Sequence, residues 1–509
     1  FVTSQLINNT LNKDMRNIVK KTTLVSSLVL ALSANSMYAQ SFEWISSTEG
    51  NTWQKSKAKL QTNAAQTPIL DVNGSEEGTV FKAWGTCFNE LGWDALNMLP
   101  RKEQETILHK LFSPEGELRF TMGRFSMNAN DYARDWYSCD EVPGDFQLKY
   151  FNINRDKTTL IPFIKAAQQY NPNMTFWMSP WSPPSWMKIN HYYSVRSDRN
   201  QNQMSPLSDV ALFEGSKEKN TKVFPQQLAV NDYFIQDPRY LQTYANYFCK
   251  FIDAYKQQGI AISMVMFQNE SWSYTNYPGC AWTAEGIIRF NTEYLAPTLK
   301  KQHPEIKLYL GTINTNRYDV IDQVLSDPRM PETIQGVGFQ WEGGQILPKL
   351  RAKYPQYKYV QTESECGWGS FDWKAAEHTF GLMNHYLGNG CEEYTFWNAI
   401  LYDGGFSGWG WKQNALIHVD SKAGTATYTP EYYAVQHYSH YITPGSKILA
   451  YKTGKEDKTP VLVVMTPQKK QVAIAGNFNE KAKDITVNLG NRYLNITLQP
   501  HSLNTFVEK

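Results

Sequence analysis

Strand-sized apolar runs recur through the middle of the chain, at Phe81–Phe88, Leu118–Arg124, Met174–Trp181, Ile262–Glu270, Ile306–Thr312, Ile334–Trp341, Tyr357–Glu363 and Tyr394–Asn398. Between and after them lie longer amphipathic stretches near 94–112, 158–170, 238–258, 283–302, 317–326, 371–387 and 430–441, with a shorter one near 345–353. Runs that are apolar on both faces suit strands covered on both sides, and the longer stretches suit helices that bury one stripe. Strand and helix alternate over about 360 residues, which predicts an α/β protein built on a (β/α)8 barrel. A doubly wound open sheet is the competing arrangement. It would carry a nucleotide loop, yet no G-x-G-x-x-G follows a strand and no G-x-x-x-x-G-K-[ST] occurs; Gly404-Gly405-Phe406-Ser407-Gly408 has the wrong spacing.

From about residue 445 the pattern changes. Val461–Met465, Val472–Ala475, Ile485–Leu489, Leu494–Leu498 and Asn504–Val507 are short runs separated by turn residues, the pattern of a β-sandwich. The segment 42–75 is strand-like and too short to fold alone, so it is expected to complete that sandwich from the other chain end. The predicted organisation is 1–39 upstream residues and leader, 40–75 first sandwich strands, 76–443 barrel, and 444–509 remaining sandwich. The sandwich strands carry no Trp after residue 445, so the module is read as structural.

The barrel runs end in polar or aromatic residues: Asn89-Glu90, Arg124, Trp181, Asn269-Glu270, Gln340-Trp341, Thr362-Glu363 and Trp397-Asn398. Polar residues that merely mark strand exits would include Gly, Ser and Lys as often. In a barrel these ends converge on the face where active sites form. Glu270 and Glu363 close hydrophobic runs, where a surface carboxylate is least expected, and as the ends of strands four and seven they would face each other across the mouth. Two carboxyls held about 5–5.5 Å apart are what retaining glycoside hydrolysis requires. Glu365 shares a strand face with Glu363, so periodicity alone does not choose between them; the apolar run ends at Glu363.

Composition narrows the partners. Among 509 residues, 50 Lys and Arg balance 48 Asp and Glu for a net +2, which argues against a nucleic-acid or other polyanion binder. Aromatics reach 14%, with 30 Tyr and 16 Trp, which suits a ligand with flat apolar faces and polar edges. The six cysteines (Cys87, Cys139, Cys249, Cys280, Cys366, Cys391) are far apart with no C-x-x-C pair, and His437 and His440 are the one close histidine pair, read as packing. No metal and no cofactor is expected. Met15, then Arg16, Lys20 and Lys21, an apolar stretch Leu24–Leu32 and small residues to Ala39 follow the order of a secretion signal, with residues 1–14 upstream of it. The apolar stretch is short for a membrane span. The protein is therefore expected to be exported, periplasmic or extracellular, without stable membrane insertion after removal of the signal.

These pieces together carry a resemblance. Trp84-Gly85-Thr86-Cys87-Phe88-Asn89-Glu90, Gly123-Arg124-Phe125-Ser126 with Asp131, Ser179-Pro180-Trp181-Ser182-Pro183-Pro184-Ser185-Trp186-Met187-Lys188, Gln268-Asn269-Glu270, Thr362-Glu363, Trp397-Asn398 and Tyr438–Ser446 resemble, in this order, glycoside hydrolase family 30, the glucosylceramidase-like retaining β-glycosidases. The resemblance implies a barrel with a side β-sandwich, Glu270 as general acid/base and Glu363 as nucleophile. It implies that Arg124, Asp131, Trp181, Asn269 and Trp397 hold the sugar, with Gln340, Trp341 and Asn398 as further substrate-binding positions. Ser271 stands where the family often has Pro, and Gln340-Trp341 where His or Tyr is expected. The implied partner is a β-linked glycan or glycoconjugate: a β-1,6-glucan, a β-fucoside or galactoside, or a glucosylceramide-like molecule. The long polar loop 188–238, with Tyr192, Tyr193, Arg196 and Arg199, would border the site and set specificity. A non-catalytic glycan-binding protein is the alternative, though binding alone does not require both Glu270 and Glu363. An unrelated barrel enzyme would need a Schiff-base Lys or a His/Asp metal cluster, and the sequence offers neither.

Overall fold

A computed structural model describes residues 41–73, 78–195, 231–273, 275–365, 367–408 and 410–509. The expected leader and the central part of the long loop, 196–230, lie outside the described residues. The chain enters through β1 (Ser41–Thr48), β2 (Asn51–Gln61) and the short β3 (Leu70–Asp71). Eight parallel strands follow: β4 (Ala83–Phe88), β5 (Met122–Met127), β6 (Thr175–Pro180), β7 (Ile262–Met266), β8 (Lys307–Ile313), β9 (Gly336–Gln340), β10 (Lys358–Glu363) and β11 (Glu393–Asn398). They pair in sequence from β4 to β10, and β11 returns beside β4. At the β10/β11 seam a backbone bond from Glu392 N to Tyr359 O (2.8 Å) is joined by side-chain acceptors. Gln361 Oε1 receives Thr395 N at 2.7 Å and Ser364 Oγ receives Trp397 N at 3.1 Å. This is the expected (β/α)8 barrel. Ala83, Met122, Trp177, Met264, Met266, Tyr309 and Val360 fill its interior, so the barrel is a packed floor below the strand ends.

The helices differ from the expectation in two places. The stretch 94–112 is two helices, Glu90–Asn97 and Arg101–Phe112, because Pro100 lacks the N–H a helix interior needs and disfavours helical geometry at the residue before it. Asn89 caps the first, its Oδ1 accepting from Gly92 N at 2.7 Å. The stretch 283–302 is helical throughout but carries a π-helical turn at Phe290–Leu295. A small sheet was not anticipated: β12 (Ile400–Tyr402), β13 (Ile417–Asp420) and β14 (Thr425–Tyr428), placed directly after the last barrel strand.

The remaining strands are β15 (Lys447–Lys452), β16 (Val461–Met465), β17 (Gln471–Asn477), β18 (Lys483–Asn488), β19 (Tyr493–Leu498) and β20 (Ser502–Glu508). With β1 to β3 they form a largely antiparallel nine-stranded sheet, in the order β15-β16-β17-β20-β1-β2-β19-β18-β3. It folds over its own core of Phe42, Val461, Val463, Ala473, Ile485, Val487, Leu494 and Phe506. Both chain ends therefore build this module, as expected. The two passes that link it to the barrel are bonded side by side, Phe81 N to Ser446 O and Ile448 N to Thr79 O. Further along the contact, His437 on the barrel helix Pro430–Ser439 bonds Ser47 of β1 and Thr505 of β20. That fits the packing role expected of the His437/His440 pair.

Candidate functional site

Arg124 organises the mouth of the barrel. It lies on β5, wholly buried, with its guanidinium carbon 4.5 Å from the ring centroid of Trp181, 4.8 Å from Trp177 and 5.5 Å from Trp397. Its Nη1 donates to Glu363 Oε2 at 2.7 Å and Thr362 O at 3.0 Å; its Nη2 donates to Asn269 Oδ1 at 2.7 Å and Ser179 Oγ at 3.1 Å. The planar fork reaches acceptors from three other strand ends at fixed angles, which a lysine ammonium does not reproduce.

Glu363 is bonded to this fork directly, and Glu270 lies near enough to feel its charge. Glu270 follows β7 with a φ of +49°, an uncommon conformation for a non-glycine residue that persists where its surroundings hold it. Its Oε1 accepts from Gln340 Nε2 at 2.5 Å and its Oε2 from the Tyr277 hydroxyl at 2.7 Å. Burial pushes its pKa up, while Tyr277, Ser273, Arg124 and Gln340 pull it down. Glu363 is raised to about 8, first by burial and then by Glu270 and Asp131, against the downward pull of Arg124. Asp131 is raised to about 7, chiefly by burial and by Glu270. Three carboxyls share one buried cation, so they titrate together and do not all ionise at neutral pH. Direct contact with Arg124 favours the charge on Glu363. Glu365 is half-exposed and ion-paired with His378, away from this network. Tertiary geometry thus separates two glutamates that periodicity could not.

The other expected site residues fall into two groups. Asn269 commits its Oδ1 to Arg124 and to Thr312 Oγ1 (2.8 Å), leaving its NH2 as the available donor. Trp181 and Trp397 stack at 5.4 Å with planes 27° apart. Asp131 Oδ2 accepts from Gln413 Nε2 at 3.4 Å, while its buried Oδ1 has no partner among the described residues. Trp341 is half-buried just past β9, its carbonyl accepting from the Tyr386 hydroxyl at 3.0 Å. Gln340 and Asn398 are wholly buried and engaged with protein. Gln340 holds Glu270; Asn398 donates to Gln413 Oε1 at 2.9 Å and accepts from Asn89 at 3.0 Å. The buried Gln340 Oε1 has no partner among the described residues.

Residues 81–202 and 233–442, more than half of the chain, match the model described as the Glycosyl hydrolase family 30 TIM-barrel domain. The chain belongs to this family. It is an O-glycosyl hydrolase. It is 26% identical over 419 residues to a protein named putative glucosylceramidase 3 from Caenorhabditis elegans, covering 77% of this chain and 72% of the relative. It is 22% identical over 409 residues to an endo-1,6-beta-D-glucanase from Neurospora crassa, covering 76% of each. The solved structure of SrfJ from Salmonella typhimurium superposes with a TM-score of 0.77 at 19% identity, covering 92% of this chain and 99% of that one, which supports the fold.

In this family 30 hydrolase several site residues had not been expected from the sequence. Tyr277 sits in a polar loop seven residues past Glu270, and Gln413 lies between the glycine-rich turn 404–410 and β13. Neither position has a periodic signal. Gln413 Oε1 accepts from Trp397 Nε1 at 2.7 Å, so one amide links Trp397, Asn398 and Asp131. Beyond Tyr277 the rim is aromatic. Its ring centroid is 6.4 Å from that of Trp411, which is 5.4 Å from Trp368, and Trp368 is 60% exposed. Among the described residues no group of three or more His, Cys, Asp or Glu could hold a metal, and no helix is long and apolar enough to cross a membrane.

Proposed function

We propose that the protein is an exported retaining β-glycosidase that cleaves β-linked glucan chains, with Glu363 as nucleophile and Glu270 as general acid/base. The observation that carries this reading is the Arg124 fork, which holds Glu363 and Asn269 together beside Glu270. The ionised Glu363 attacks the anomeric carbon while the Glu270 proton passes to the departing oxygen, giving a glycosyl ester. Esterification removes the charge that neutralised Arg124. The arginine then acts more strongly on Glu270, lowering its pKa, and Glu270 as a base takes a proton from the water that resolves the ester. With its Oδ1 held by Arg124 and Thr312, Asn269 offers its NH2 to the sugar 2-hydroxyl in this reading, a contact that strengthens in the oxocarbenium-like transition state.

For the substrate, relatives named for glucosylceramide and for β-1,6-glucan both fit the barrel. The rim favours the glucan. Tyr277, Trp411 and Trp368 run outward from the residue that protonates the leaving group, and such rings stack on the C–H faces of sugars while their polar edges stay wet. The test is hydrolysis of β-1,6- and β-1,3-glucans and aryl β-glycosides beside Glu270→Gln and Glu363→Gln, with product anomers followed by NMR. Retained configuration and loss of glucan cleavage in both variants is the expected result; inversion, or full activity in either variant, overturns the mechanism. Export is tested by sequencing the N-terminus of the mature protein, expected just after Ala39.

A further inference from the structure

Lys188 closes the motif Ser182-Pro183-Pro184-Ser185-Trp186-Met187-Lys188 and is wholly buried, yet none of the catalytic steps above uses it. The turn Ser185–Met187 leads into it, and its own N–H donates to Ser185 O at 3.1 Å. Its ammonium donates to Gly279 O at 2.6 Å and Tyr193 O at 2.8 Å, with Ser182 Oγ at 3.3 Å and Ser194 O at 3.4 Å sharing the third hydrogen. Neutral oxygens thus satisfy all three donors of a buried cation. The ionisable groups that face it are the Cys280 thiol and the Glu141 carboxyl, and burial draws its pKa down to about 8.

The carbonyls it gathers belong to two loops. Tyr193 and Ser194 lie on the loop after β6, and Gly279 on the loop after β7. The same loops are bonded through Gly279 N to Tyr193 O (3.0 Å) and Val195 N to Thr275 O (3.1 Å), with a bridge between Ser194 and Pro278. Tyr277 lies inside this stitched segment, and its hydroxyl is the 2.7 Å donor to Glu270. Four carbonyl and hydroxyl oxygens drawn onto one ammonium would separate without it, because each dipole points its negative end at the same place.

We propose that Lys188 is a positioning residue for Glu270: its ammonium clamps the two loops so that the Tyr277 hydroxyl is presented to the carboxyl. This rests on the reading of Glu270 as general acid/base. A donor on the carboxylate favours its ionised form, so Tyr277, and Lys188 through it, hold the working pKa of Glu270 below the value that burial alone would set. The other groups facing Glu270 are Ser273 and Gln340 as donors, and Arg124, Glu363 and Asp131 as charges.

The experiment is the pH profile of kcat/KM on phenyl β-glucoside for the full chain, for Tyr277→Phe, for Lys188→Met and for the double variant. Its alkaline limb reports the acid that must be protonated in the free enzyme. Each single variant is expected to move that limb to higher pH, and the double variant to move it no further than either single. A Lys188→Met enzyme that loses activity equally at every pH, or a double variant in which the shifts add, overturns the proposal. Should Lys188→Met fail to fold, Lys188→Leu, which likewise removes every donor, is read the same way, and an unmoved limb overturns it. Glu270→Gln separates the two levels: an alkaline limb that survives in that variant brings down the assignment of Glu270 itself, whatever Lys188 does.

Discussion

His437 offers a direct test of how the barrel is held to the β-sandwich. The imidazole is wholly buried between Ser47 of β1 and Thr505 of β20, at 2.8 and 2.9 Å, and burial lowers its pKa from 6.5 to about 3. In the unfolded chain it takes up a proton near pH 6.5; in the folded protein it does not until about pH 3. Between those values the unfolded state binds more protons, so stability falls as pH falls, by about 1.4 kcal/mol per pH unit. At pH 4.5 this amounts to about 2.7 kcal/mol relative to pH 6.5 and above. His437→Gln removes the titration and weakens two buried hydrogen bonds, costing about 1–3 kcal/mol at pH 7.5. Guanidinium unfolding followed by Trp fluorescence at pH 7.5 and pH 4.5 measures both effects. Other groups titrate over this range, so the quantity to compare is the difference between wild type and variant. The variant is expected to be the less stable at pH 7.5, and the gap to close or reverse at pH 4.5. A gap of equal size at both pH values would refute the reasoning.

Three further outcomes follow from the same geometry. Gln413→Ala cuts the link among Trp397, Asn398 and Asp131 and is expected to lower kcat/KM about tenfold, the equivalent of one or two lost buried hydrogen bonds; steady-state kinetics with the barrel's stability unchanged by calorimetry checks it. Trp368→Ala removes the exposed end of the rim and is expected to lower kcat/KM about fivefold more on β-1,6-gluco-oligosaccharides than on glucosyl fluoride, for a stacking contact of about 1 kcal/mol; equal losses on both would remove Trp368 from the leaving-group side. The cysteines Cys87, Cys139, Cys249, Cys280 and Cys391 are buried free thiols, and burial disfavours the reactive thiolate. Mass mapping after iodoacetamide treatment is expected to find them labelled only once the protein is unfolded.

Much of the fold is legible because strand and helix signals are local. The barrel strands are buried on both faces, so their runs are mostly apolar and polar residues gather at their ends, as Gln361-Thr362-Glu363 do after Tyr359-Val360. The break at Pro100 was equally available, since proline acts on its own helix, but periodicity on either side masked it. The sheet β12-β13-β14 was harder to see: its strands have three or four residues, too few for a period to emerge, and Gln413 enters the site just ahead of one of them. Tyr277 left no pattern because its role depends on a loop held by Lys188, whose partners Tyr193, Ser194 and Gly279 are close only after folding.

The chain by itself determined the alternation of strands and helices, the residues that stand at the strand ends, and the pairing of both termini in one sandwich. All three follow from burial patterns over neighbouring residues and from the rule that parallel strand ends share one face. Only the tertiary structure decided what those residues do for one another. It placed Arg124 against Glu363 and left Glu365 with His378, tied Gln340 to Glu270 and Asn398 to Gln413, and brought Tyr277 to Glu270. The physical reason is that hydrogen bonds and ion pairs act over a few ångströms, and the partners that set the charge of a buried carboxyl lie tens or hundreds of residues away along the chain.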